Sequence, residues 1–114
     1  MNWIAVAGPY RSGGADAEQQ AANLKAMNEV ALHLFDKGWV PVIGVNMALP
    51  LIAVAGESRY GEIMQPLSNA LVSRCDAILR IGGPSVGADA EVALLEQKGA
   101  PVYHRLEDVP PAAP

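Results

Sequence analysis

One stretch limits the fold more than any other. The run Asp76-Ala77-Ile78-Leu79-Arg80-Ile81 reads as a buried strand, residues 76–81, and passes directly into Gly82-Gly83-Pro84-Ser85-Val86-Gly87. A helical run, residues 88–98, comes next. A Gly/Ser loop between a parallel strand and a helix presents backbone N–H groups at the helix N-terminus, where anions are favoured. Glu91 is the odd residue of that helix. Its helical neighbours Ala88, Leu94 and Leu95 are apolar, whereas Asp89 and Glu96 fall on a different face. A carboxylate on or beside an inward face is costly when unpaired. Groups in that position are candidates for a functional site.

The rest of the chain repeats the alternation of strand and helix. Trp3-Ile4-Ala5-Val6-Ala7 is a continuous apolar run closed by Gly8-Pro9, as in a strand covered on both faces. Residues 8–14 form a Gly/Pro loop, and Asp16 or Ser12 caps the helix after it. Residues 17–37 give the clearest helix, with Leu24, Met27, Ala31 and Leu34 at helical spacing and Val30 and Phe35 widening the stripe. Gly38 is its expected stop. Residues 39–43 read as a short strand, placed at an edge because Pro41 lacks a donor.

Residues 44–60 are the least legible and read as a short helix or an apolar lid, with Gly56-Glu57-Ser58-Arg59 as a turn. Residues 61–74 form a helix that Pro66 either kinks or starts. Pro101-Val102-Tyr103-His104 is a fourth strand. Residues 1–106 are therefore expected as one domain, and residues 107–114, rich in proline, as a mobile tail.

The alternation predicts a three-layer α/β/α fold with a four- to five-stranded parallel sheet of flavodoxin-like or Rossmann-like topology. Ligands in such sheets sit beyond the carboxyl ends of the strands, where the strand order reverses. The first and third strands should flank that point, so loops 8–14 and 82–87 should meet in one crevice. The chain has 114 residues, 51% of them hydrophobic, enough for a real core. A net charge of −4 without a basic block argues against nucleic acid. No apolar run reaches membrane-spanning length, so no membrane partner is expected. Met1-Asn2 carries no basic segment, and the single cysteine excludes an internal disulfide. Both point to the cytoplasm. Phosphate-loop, dinucleotide and serine-elbow motifs are absent. His33 and His104 have no metal spacing, so neither a metal nor a cofactor is expected. The remaining chemical groups are a carboxylate, a tyrosine, an arginine and two N–H-rich loops. A buried carboxylate facing a sugar can attack an anomeric carbon.

Ala7-Gly8-Pro9-Tyr10, Cys75-Asp76-Ala77 and the run from Pro84 to Glu91 together resemble the nucleoside 2-deoxyribosyltransferase-like superfamily. The likeness is closest to its short bacterial and phage members, and extends to the 2′-deoxynucleoside 5′-phosphate N-hydrolases through Arg11-Ser12-Gly13-Gly14. The resemblance implies cleavage or transfer at an N-glycosidic bond of a nucleoside or its 5′-monophosphate. Glu91 would be the nucleophile and Tyr10 would orient it by a hydrogen bond. Ser85 and the Gly87 N–H would contact the 5′ side or a phosphate, and Arg11 would add charge there. Gly8, Pro9, Gly13, Ser68 and Asn46 complete the expected substrate-binding set. Ser68 stands where relatives carry an aspartate that contacts the sugar, with Glu62 and Glu57 as the nearest acids. The resemblance also implies a homo-oligomer. A binding module that holds a nucleotide without turnover is the alternative.

Overall fold

A computed structural model of the protein describes residues 2–114. Four strands, β1 (Trp3–Ala7), β2 (Val40–Val42), β3 (Ala77–Arg80) and β4 (Val102–Tyr103), form an all-parallel sheet in the order β2-β1-β3-β4. β1 pairs with β3 from Ile4 opposite Ala77 to Ala7 opposite Arg80. The helices are α1 (Ala17–Asp36), α2 (Gly44–Ala55), α3 (Tyr60–Val72) and α4 (Val86–Gln97). The result is the three-layer α/β/α Rossmann-like fold that the alternation of strands and helices predicts. β2 is an edge strand, as Pro41 requires.

The period of two along β1 divides the core. Ile4 and Val6 face α1, packing with Met27, Leu34, Trp39 and Leu79. Ala5 and Ala7 face the opposite layer, packing with Val72 of α3 and Ala88 and Leu95 of α4. The small side chains on that face let α4 lie close to the sheet, which is how a helix carrying Glu91 reaches the end of β1. Asp16 caps α1 through its Oδ1, which accepts from the Gln19 N–H at 2.8 Å. Asp76 is structural: its Oδ2 accepts from the Trp3 N–H at 2.9 Å and ties β3 to the start of β1.

Residues 44–55 are helical throughout, with Pro50 inside, which selects the helix of the two readings of that segment. Other expectations are corrected. α3 starts at Tyr60, so a start near Pro66 is ruled out; a 3-10 turn, Glu57–Arg59, leads into it. Phe35 is exposed rather than part of the α1 stripe. The segment 107–114 is not a loose tail. Val109 is 1% exposed in the α1-side core. The Lys37 ammonium donates to the Val109 and Leu106 carbonyls, Trp39 Nε1 donates to the Pro110 carbonyl at 2.9 Å, and the Ala112 N–H donates to the Lys37 carbonyl at 2.9 Å. The proline-rich composition concealed one apolar anchor and a set of carbonyl acceptors.

Candidate active site

The strand order reverses between β1 and β3, and a cavity of about 190 Å³ opens there. Both glycine loops reach it. Gly8, Tyr10, Arg11 and Ser12 come from the loop after β1, and Ser85 and Gly87 from the loop after β3. The loops touch: a Cβ on Gly82 would lie 2.7 Å from Pro9 Cδ, and Gly82 has φ +78°. Only glycine allows both the conformation and the approach. α2 and α3 close the remaining wall through Gly44, Val45, Met64, Gln65 and Ser68.

Glu91 projects into this cavity from the second turn of α4. Among the described residues it is the one acidic side chain lining the cavity. Burial pushes its carboxyl up to about 7, and the Arg80 guanidinium pulls the other way. Arg80 had no role in the sequence-based expectation. Its side chain is 11% exposed, and Nε donates to Asp89 Oδ1 at 3.1 Å. Nη2 donates to the Gly83 carbonyl at 2.8 Å, and Nη1 donates to the Ile81 carbonyl. One guanidinium therefore holds the glycine loop, the first turn of α4 and part of the charge of Glu91. A cation at the carboxyl end of an otherwise apolar strand was the available signal.

Ser85 is buried and caps α4, its Oγ accepting from the Ala88 N–H at 3.1 Å. Its own hydroxyl proton remains for a ligand, and so does the first-turn Gly87 N–H. Gln65 braces α3 to α4, its Nε2 donating to Asn69 Oδ1 at 2.6 Å and to the Gly87 carbonyl at 3.4 Å. Tyr60 lines the cavity mouth beneath Arg11, whose guanidinium lies 3.7 Å from the ring centroid. Arg11 also forms an ion pair with Glu57. Neither Gln65 nor Tyr60 stood out in the sequence: Tyr60 closes the least legible segment, 44–60, and Gln65 stands directly before Pro66, which obscured where α3 begins.

Of the expected set, Gly8, Tyr10, Arg11, Ser68, Ser85, Gly87 and Glu91 line one cavity. Three do not. Pro9 packs against Gly82. Gly13 lies exposed in a 3-10 turn with φ +68°. Asn46 points to the surface, its Nδ2 donating to Asn28 Oδ1 at 2.7 Å. Tyr10 shares the cavity with Glu91, but the hydrogen bond expected between them is not formed in this structure. Ser68 is 3% exposed, and its Oγ donates to the Met64 sulfur at 3.9 Å. Glu62 is exposed and paired with Arg59 at 2.9 Å, away from the cavity. Among the described residues no cluster of His, Cys, Asp and Glu could hold a metal ion, and no helix is long and apolar enough to cross a membrane. Compared with known proteins, the chain matches no family model, and no curated protein is significantly similar to it.

Proposed function

We propose that this protein cleaves or transfers the N-glycosidic bond of a nucleoside or its 5′-monophosphate, with Glu91 as nucleophile. One observation carries the reading: a half-buried carboxyl, raised to about 7 and the one acid lining the cavity among the described residues, faces a small cavity between two N–H-rich loops at the sheet's reversal point. The resemblance of loops 8–14 and 82–91 to the nucleoside 2-deoxyribosyltransferase-like superfamily supports it. At about 190 Å³ the cavity is smaller than the roughly 300–1,000 Å³ of drug-sized sites, so it suits the sugar while the base occupies the mouth.

The chemistry balances without a cofactor. A Glu91 oxygen attacks C1′, and the C1′–N bond pair leaves with the base. No second carboxyl lines the cavity among the described residues, so the base takes its proton from water at the mouth. Water or a second base then attacks C1′, the Glu91–C1′ bond pair returns to the carboxylate, and the proton released by the attacking group neutralises the hydroxide left by the first step, giving hydrolysis or transfer. The Ser85 hydroxyl and the Gly87 N–H hold the 5′ side of the sugar. The same reading places the protein in the cytoplasm as an assembly of identical chains. Met47, Leu51 and Val54 on one exposed side of α2 favour that assembly, and light scattering tests it.

The test is base release from ribo- and deoxynucleosides and their 5′-monophosphates, separated by chromatography. A nucleophile must be ionised, and the carboxyl titrates near 7. A rise of kcat/KM with pH through about 7, on a one-proton limb, is therefore expected. No base from any substrate, with or without an acceptor base, contradicts the proposal. The second reading is a nucleotide-binding module without turnover. It is favoured by Ser68, which cannot protonate a leaving base. Saturable calorimetric binding without product would select it.

A further inference from the structure

The Arg11 guanidinium is the one cationic side chain lining the cavity among the described residues, and it is already engaged twice. Glu57, from the turn before α3, forms an ion pair with its Nη1, and the Tyr60 ring lies beneath its plane. Its Nε is buried and meets no partner, so the group is held by these two contacts alone. The other guanidinium nearby, Arg80, is occupied by Asp89 and by the loop carbonyls. The mouth of the cavity therefore carries a neutralised cation, with a second carboxyl, Glu91, on its wall.

We infer that Glu57 is a specificity-determining residue that reserves the site for the unphosphorylated nucleoside by holding Arg11 away from a 5′-phosphate. The inference rests on the nucleoside reading above and narrows its substrate class. A phosphate dianion entering this mouth would have to displace one carboxylate from Arg11 and remain beside it. Like charges sharing one guanidinium repel by enough to change affinity about tenfold or more. A neutral 5′-hydroxyl meets no such opposition and can bond to Ser85 and the Gly87 N–H. Exposed ion pairs contribute little to stability, and the Glu57 side chain is 67% exposed, so its replacement leaves the fold intact.

The experiment measures calorimetric affinity for the four common 2′-deoxynucleosides and their 5′-monophosphates. The proteins are wild type, Glu57→Gln, and the double variant Arg11→Ala with Glu57→Gln. In wild type the nucleoside binds about tenfold or more tightly than its monophosphate. In Glu57→Gln that ratio moves toward the monophosphate by about tenfold or more. In the double variant the gain disappears, because it requires the released guanidinium. A wild type that prefers the monophosphate overturns the inference. So does an unchanged ratio in Glu57→Gln, a gain that survives loss of Arg11, or no binding of any of these ligands. Base release is read separately. Its absence alongside the expected affinity ratios would remove the glycosidic chemistry and leave the charge selection standing.

Discussion

Replacing Glu91 by glutamine is expected to abolish base release and to make the folded protein more stable at alkaline pH. The loss of activity should be at least about a thousandfold, because among the described residues no other carboxylate lines the cavity to take over as nucleophile. The gain in stability has a separate cause. Burial raises the carboxyl from an ordinary 4.5 to about 7, so the folded state holds the proton more tightly than the unfolded chain. That contribution is fully present below about pH 4.5 and is lost as pH rises through about 7. At pH 8 the ionised carboxylate therefore costs about 3 kcal/mol. Glutamine has the same shape and no charge, so Glu91→Gln should gain about 2–3 kcal/mol at pH 8 and nothing below pH 4.5. Urea unfolding at several pH values measures this. Equal stability of the two proteins at pH 8 would show that Glu91 is solvated in the folded state, and the case for a functional carboxyl would weaken with it.

The second large effect is expected at the wall opposite Glu91. α2 and α3 cross at Gly44, where a Cβ would stand 2.6 Å from the Ser68 Cβ and 2.8 Å from its Cα. Backbone cannot yield as a flexible side chain does, so Gly44→Ala must push the two helices apart. The cost should be about 3 kcal/mol, more than the roughly 1 kcal/mol that alanine gains over glycine in a helix. Because Gly44, Val45, Met64 and Ser68 all line the cavity, the same displacement should weaken nucleoside binding. Adding Ser68→Gly removes the clashing side chain, though not the Cα, and should restore part of the stability. A change below about 0.5 kcal/mol in Gly44→Ala, read from the urea midpoint, would contradict this close crossing.

The legible parts of this fold are those where pattern and punctuation agree. Ile4 to Ala7 and Ala77 to Leu79 are apolar runs ended by glycine loops, and that fixed the two central strands, their reversal point and the meeting of the loops. Glu91 was visible because its helical neighbours are apolar. α2 was obscure for the opposite reason: from Met47 to Ala55 every residue is apolar or proline, so no period distinguishes the buried Ala48 and Ile52 from the exposed Val54. Pro66 left the start of α3 open because proline destabilises a helix locally; the packing of Met64 and Ser68 holds the helix through it. The contacts of 107–114 were hidden because they depend on backbone carbonyls, which carry no sequence signal. Asn46 was misplaced by one turn geometry: the helix begins at Gly44 and turns its side chain outward to Asn28. The pairing of Arg11 with Glu57, far apart along the chain, could be seen only in three dimensions.

The most direct test of the central claim is to trap the sugar on the protein. A 2′-fluoro-substituted deoxynucleoside slows the second step by withdrawing electrons from the anomeric centre, so a glycosyl ester should accumulate. Mass spectrometry of the quenched protein is expected to show one fluorodeoxyribosyl group on the peptide containing Glu91, with one equivalent of free base. The adduct should be absent in Glu91→Gln. Free base without an adduct on Glu91, or an adduct that persists in Glu91→Gln, would contradict the assignment of Glu91 as nucleophile.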